Sequence, residues 1–287
     1  MGTKREADGD WEVDWHNLPR RPFRRVFRPY DEKAVKAAGG LERVKARRNS
    51  LGIRSIEDPA GEEATLPPLA PNSDLDLKEV PAWLKEVLQK KLKSLRPVQA
   101  QLLPILLAGL NAIAVVPSSP GEEALMYLLL AAMQACDQHA LTEEEPGPTA
   151  LVLADSQEAC TSITSTAQKL FQRSGKDSLR VANLSGGGSR AEKLREMSDQ
   201  GAHVVVATPK RLHDLASKYQ VSCLRVTLLV VDGIDRMEAE ALQQLGDWIR
   251  PERHTVLLSR SWSPQLRELS AELCLKGGLP VKVEMRS

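Results

Sequence analysis

The chain has four cysteines, and none of them is placed for chemistry. Cys136, Cys160, Cys223 and Cys274 stand far apart, with no C-x-x-C pair and no histidine at ligand spacing. That spacing excludes the common zinc patterns and suggests buried free thiols in a reducing compartment. Net charge is equally uninformative: 39 basic residues against 38 acidic ones leave +1, so bulk charge selects neither nucleic acid nor membrane as a partner. No apolar run approaches the roughly 18 residues of a membrane span, and Met1-Gly2-Thr3-Lys4-Arg5-Glu6 leads into no signal-type apolar segment. A partner membrane is not expected.

What is present is a core and an uneven distribution of charge. At 287 residues and 42% hydrophobic content, the chain can bury one large or two small domains. Between Arg20 and Arg54 basic residues far outnumber acidic ones, whereas Glu57 to Asp76 is acidic and ends in the loose Pro67-Pro68-Leu69-Ala70-Pro71-Asn72 stretch. The pattern predicts an extended basic and proline-rich arm and linker over 1–76, followed by a single domain over 77–287. Arg20, Arg21, Arg24, Arg25 and Arg28 alternate with Phe23, Phe27 and Tyr30, a mixture suited to tracking RNA by charge and stacking. A merely solvated arm accounts for it as well.

From residue 77 onward, short β-branched runs alternate with amphipathic segments. Strands are predicted at Ala112 to Val116, Ala150 to Ala154, Arg180 to Leu184, His203 to Ala207, Thr227 to Val231, Thr255 to Ser259 and Val281 to Glu284. Helices are predicted at Glu123 to Gln138, Gln157 to Gln172, Arg190 to Gln200, Lys210 to Tyr219 and Ala239 to Ile249. Strands that are apolar throughout and separated by helices specify an α/β fold with a parallel β-sheet covered by helices on both faces. Ligands of such sheets gather at the carboxyl ends of the strands.

Directly after the first of these strands, Pro117-Ser118-Ser119-Pro120-Gly121-Glu122-Glu123 has the layout of a phosphate-binding loop. Such a loop works by converging backbone N–H groups, a helix N-terminus and a lysine on phosphates, with a hydroxyl on magnesium. Glu122 and Glu123 occupy the lysine and hydroxyl positions, and Pro120 lacks an N–H to donate. A unit charge pair at about 4 Å and an effective dielectric near 20 is worth roughly 4 kcal/mol, so attraction turned to repulsion costs about twice that. Ser119-Pro120-Gly121-Glu122 also reads as a capping box, with serine at the N-cap and glutamate reaching back.

After Leu228-Leu229-Val230-Val231 comes Asp232-Gly233-Ile234-Asp235, and with it the sequence resembles the first RecA-like lobe of a DEAD-box RNA helicase. Asp232 to Asp235 match the D-E-A-D box, with glycine at the glutamate position. Pro97-Val98-Gln99 resembles the end of the Q motif, but no aromatic stands near Asp74 or Leu75. Ala154-Asp155-Ser156-Gln157-Glu158-Ala159 resembles A-P-T-R-E-L, Gly186-Gly187 the GG element, Ala207-Thr208-Pro209-Lys210-Arg211 A-T-P-G-R, and Ser259-Arg260-Ser261 the S-A-T motif. Ile249 to Thr255, Trp262 and the arm from Asp14 to Pro19, with Phe23 and Phe27, resemble the branch whose motif reads S-A-T-W-P.

The resemblance implies a RecA-like P-loop NTPase fold covering about 75–285, with ATP and magnesium as the family's cofactors. Its ATP positions are Gln99, Ser118, Ser119, Gly121, Glu122 and Glu123, and its hydrolytic positions Glu122, Asp232, Gly233, Asp235, Ser259 and Ser261. With lysine, threonine, glutamate and adenine-stacking aromatic all absent, no intact catalytic set, cofactor or metal is expected. Asp232 and Asp235 then become strand-end carboxylates that pair with Arg236 or Ser259. The family's RNA positions are better kept, at Gln157, Gly186, Gly187, Thr208, Lys210 and Arg211, although Thr208-Pro209 and the glycines also suit a helix cap and a turn. The arginines that complete the family's ATP site come from a second lobe, for which these residues leave no room. The residues do not fix a compartment, and the resemblance alone implies an intracellular one, nuclear or cytoplasmic; these features predict a catalytically degenerate binding or structural subunit whose partners are RNA or proteins of a ribonucleoprotein assembly. The rival expectation is an ATP-dependent RNA helicase, or a fragment of one, with divergent motifs.

Overall fold

A computed structural model describes residues 23–28, 33–61, 65–73, 75, 77, 80–138, 147–175, 178–185, 201–216, 223–274 and 278–286. Eight strands form one sheet: β1 (Ile53–Glu57), β2 (Ala112–Val115), β3 (Ala150–Ala154), β4 (Val181–Asn183), β5 (Val204–Ala207), β6 (Leu228–Asp232), β7 (His254–Ser259) and β8 (Val281–Met285). Their order is β1-β8-β2-β7-β6-β3-β5-β4. β1 runs antiparallel to β8, and every other pairing is parallel.

The described helices are α1 (Ala34–Ala37), α2 (Leu41–Ser50), α3 (Ala82–Leu92), α4 (Pro97–Leu107), α5 (Ala124–Asp137), α6 (Gln157–Phe171), α7 (Pro209–Ala216), α8 (Ala239–Trp248) and α9 (Pro264–Cys274). Successive strand residues feed two separate cores. Ala112, Ala114, Val152, Val204, Val230 and Val256 pack with α4, α5 and α6 on one face. Ile113, Leu151, Leu153, Val205, Leu229 and Leu257 pack with α7, α8 and α9 on the other. Because side chains alternate along a strand, a strand with a core on each side has to be apolar at every position. The helix expected over Arg190 to Gln200 lies outside the described residues.

Two expectations need correction. The sheet does not begin at residue 112 and is not wholly parallel, because Ile53 and Ile56 place β1 on β8 within the segment read as arm and linker. Lys282, itself buried, holds that edge by ion pairs to Glu57 and Glu284 and by lying 4.8 Å above the Trp262 ring. The described part of the basic arm is likewise committed to the body. Phe27 is buried, and its N–H and that of Arg28 donate to the Leu107 carbonyl. Arg25 donates to the Gly109 carbonyl and the Asn111 side chain, Arg24 to Asp137, and Phe23 lies under the Arg250 guanidinium. Apolar burial and acceptors within the chain outcompete solvent for these groups, so Phe27 and Arg25 are packed into the body rather than held on an extended arm. Arg20, Arg21 and Tyr30 lie outside the described residues.

Candidate functional site

The motif-bearing residues assemble at the carboxyl ends of β2, β3, β6 and β7, where a parallel sheet opens into a crevice. Four backbone donors of the loop after β2 find partners within the chain. Ser119 N–H donates to Glu122 Oε1 at 3.1 Å, Gly121 N–H to Asp232 Oδ2 at 2.8 Å, Glu122 N–H to the Ser119 carbonyl and Ala124 N–H to the Gly121 carbonyl. Only half of the expected capping box forms. Glu122 reaches back to residue 119, but α5 begins at Ala124 with Glu123 as its N-cap and no side-chain cap bond. Gly121 has φ +86°, outside the helical region, and so breaks the turn before it can join α5.

The two glutamates meet a cation from α4. Arg96 Nη1 lies 2.8 Å from Glu122 Oε2, and its Nε 3.2 Å from Glu123 Oε1. The Arg96 hydrogen bond is the chief reason that the Glu122 carboxyl is held below its ordinary range. Burial instead pushes Glu123 up, opposed by Arg96 and Gln99. Gln99, in the family the residue for the adenine edge, is buried and accepts the Arg96 N–H at 3.1 Å in a capping box of α4. Ser118 is half-buried on the loop.

Asp232 is 3% exposed and accepts from the Tyr127 hydroxyl at 2.8 Å as well as from Gly121, both on Oδ2. Burial raises its pKa, and those two bonds pull it back down. Tyr127, fully buried, is raised well above its ordinary value by burial and by the neighbouring carboxylate. The pairings expected for the D-E-A-D-like segment are different in the structure. Arg236 binds Asp155 at 3.0 Å, and Asp235 accepts from the Arg260 N–H at 3.1 Å and its Nε at 3.4 Å. Ser259 turns its hydroxyl to the Ser261 carbonyl at 2.6 Å and is not a partner of Asp232 or Asp235. The 3-10 turn Ile234–Arg236 that follows Gly233 aims Arg236 back at β3 and Asp235 toward Arg260. Among the described residues there is no cluster of three or more metal-ligating side chains.

A second group forms at the ends of β4 and β5. Thr208 N–H donates to Ser185 Oγ at 2.6 Å, the Thr208 hydroxyl accepts the Arg211 N–H at 3.4 Å, and Arg211 Nε donates to the Leu184 carbonyl at 3.2 Å. Lys210 is exposed beside them, and Gln157 is exposed at the start of α6, where Ser156 caps the helix. Gly186 and Gly187 lie outside the described residues. Sequence reasoning missed Arg96, Tyr127 and Ser185. Only Tyr127 left a signal, a hydroxyl within the apolar run Ala124 to Met133 of α5.

The sequence model described as DEAD/DEAH box helicase matches residues 96–269. The chain is 32% identical over 209 residues to DEAD-box ATP-dependent RNA helicase 40 of Arabidopsis thaliana, covering 71% of this chain and 18% of that protein. It is 28% identical over 273 residues to the human probable ATP-dependent RNA helicase DDX43, covering 93% of this chain and 40% of that one. The fold is that of the yeast DEAD-box splicing factor Prp28, with a TM-score of 0.70 at 20% identity over 86% of this chain and 57% of that one. The chain therefore spans less than half the length of the curated relatives it matches. From the motifs at the strand ends to the residues matched by the model, this chain belongs to the DEAD/DEAH box helicase family.

Proposed function

We propose that the chain is a catalytically degenerate DEAD-box lobe that acts as a binding or structural subunit, with RNA and the proteins of an RNA–protein assembly as its partners. The observation that carries this reading is the internal pairing of the loop, in which Asp232 takes the Gly121 N–H and Arg96 takes Glu122 and Glu123. Residues 118–123 do not fit a magnesium–triphosphate, because the Ser119, Gly121 and Glu122 N–H groups are engaged within the chain and the loop supplies two carboxylates in place of a lysine and a hydroxyl. Positioning and charge neutralisation are nearly the whole of phosphoryl-transfer catalysis. A lobe without them has no route to turnover.

Titrating ATP with magnesium against the intact chain tests this. Exchanging a lysine's attraction for a glutamate's repulsion is a difference of about 8 kcal/mol, which the Arg96 pairs reduce but do not restore to attraction, so no saturable binding is expected below ~1 mM. Micromolar binding with RNA-stimulated phosphate release would favour the helicase reading and sink this one. On the RNA side, Thr208, Lys210 and Arg211 sit at the start of α7, where a helix N-terminus and two cations suit a phosphate. Arg211→Ala is expected to weaken single-stranded RNA binding roughly 3- to 10-fold irrespective of sequence and to lower the salt slope by about one. Equal affinities measured across a salt series would remove this surface from the proposal.

A further inference from the structure

Pro120 and Gly233, brought together from two separate motifs, touch across the strand ends. Gly233 has φ +90°, and a Cβ added to it would lie 3.0 Å from Pro120 Cγ and 2.8 Å from Arg236 Nη2. Gly121 is confined in the same way on the other side, where a Cβ would meet Ile163 Cγ1 at 3.3 Å and Ser162 Oγ at 3.5 Å. The loop is thus pressed between the end of β6 and the flank of α6. The Arg236 tip is tied to Asp155 at 3.0 Å, and the proline ring can yield only by its pucker, because its side chain is closed onto the backbone.

We propose that the loop 116–123 is an intramolecular latch, with Asp232 as its resident anion and the Pro120 ring over Gly233 as the contact that keeps it shut. The inference rests on the reading of a non-hydrolysing lobe and says how the emptied site is held. In a phosphate loop the Gly121 N–H serves a ligand; here it serves a carboxylate of the same chain. Proline at 120 and glycine at 233 form one coupled pair. A side chain at 233, including the glutamate that hydrolysis requires, meets the ring, and a loop without the ring has no wall to close against.

The test is a thermal-denaturation cycle on the full chain without nucleotide, comparing Gly233→Ala, Pro120→Ala and the double variant. Gly233→Ala is expected to lower Tm by roughly 4–8 °C, part from positive φ and part from the ring. Only the second part vanishes when the ring is removed, so in the Pro120→Ala background the loss falls to about half. Equal losses in the two backgrounds overturn the latch. Should Gly233→Ala not fold, amide exchange in Pro120→Ala decides alone. The Gly121 amide is expected to exchange about tenfold faster than in the native chain while the middle of α5 is unchanged, and unchanged protection at Gly121 overturns the proposal. ATP binding by the native chain would refute the functional reading instead, so the two can fail separately.

Discussion

Lowering the pH from 7 to 5 is expected to remove about 4 kcal/mol of stability, with two buried histidines supplying most of the loss. His254 is fully buried at the start of β7, its Nε2–H directed at the Leu110 carbonyl at 2.6 Å and its Nδ1 enclosed without a partner. Burial, aided by the Arg25 charge, lowers its pKa to about 3. His203 is lowered to about 4 by burial and by Arg180 and Arg225, and its Nδ1 accepts the Arg180 N–H at 3.2 Å.

The sign follows from which state binds protons first. An unfolded histidine titrates near 6.5, so below that pH the unfolded chain takes up protons that the folded chain refuses. The stability these residues contribute is complete above 6.5 and is lost progressively as pH falls toward 4 for His203 and 3 for His254. By pH 5 each has forfeited about 2 kcal/mol, against a total of 5–15 kcal/mol for an ordinary domain. Glu123 and Asp232 act in the opposite sense, because their folded pKa values are raised and they gain protons more readily in the native state. Tm measured at pH 7 and 5 checks the prediction, with a drop of roughly 8–16 °C expected. His254→Gln keeps a donor toward Leu110 without the titration, and should recover about half of the drop. A drop of the same size in that variant would assign the loss to groups other than His254.

Those histidines also mark the limit of what the sequence disclosed. The parallel strands were legible because a strand buried on both faces cannot alternate, and Ala150-Leu151-Val152-Leu153-Ala154 has no polar position to hide. β1 was not, because Ile53-Arg54-Ser55-Ile56-Glu57 is half polar, lies in a basic stretch and acquires its meaning only from β8. The same division runs through the site. Motif order and spacing identified Gly121, Asp232 and Thr208 as members of one face. The partners of those residues come from elsewhere in the chain: Tyr127 lies 105 residues from Asp232, and Arg96 lies 26 from Glu122. No local pattern announces a contact of that separation. The sequence could state that lysine and glutamate do not stand at the family's positions, but not that the arginine at the N-cap of α4 and a tyrosine of α5 stand beside the residues that do.

Removing the carboxylate of Asp232 is expected to destabilise the chain by about 2–4 kcal/mol, and the sign matters more than the size. In a working hydrolase the strand-end aspartate is kept for its metal and is a burden on the fold, so truncating it commonly leaves stability unchanged or improved. Here two donors depend on it. Asp232→Ala strands the Tyr127 hydroxyl and the Gly121 N–H, each costing roughly 1–3 kcal/mol, which outweighs the relief of unburying one charge. Tyr127→Phe should cost about 1.5–3 kcal/mol by withdrawing a donor from an ionised group, and should raise the Asp232 pKa further. With both partners gone, as in Asp232→Ala with Tyr127→Phe, one stranded donor disappears, so the double variant should lose less than the sum of the singles. Urea midpoints at pH 7 with unchanged slopes measure all three. A gain in stability for Asp232→Ala would mean that the aspartate is still held at the fold's expense, as in an enzyme. A loss that shrinks when Tyr127 is also removed means that this aspartate works as a strut between β6, the loop and α5.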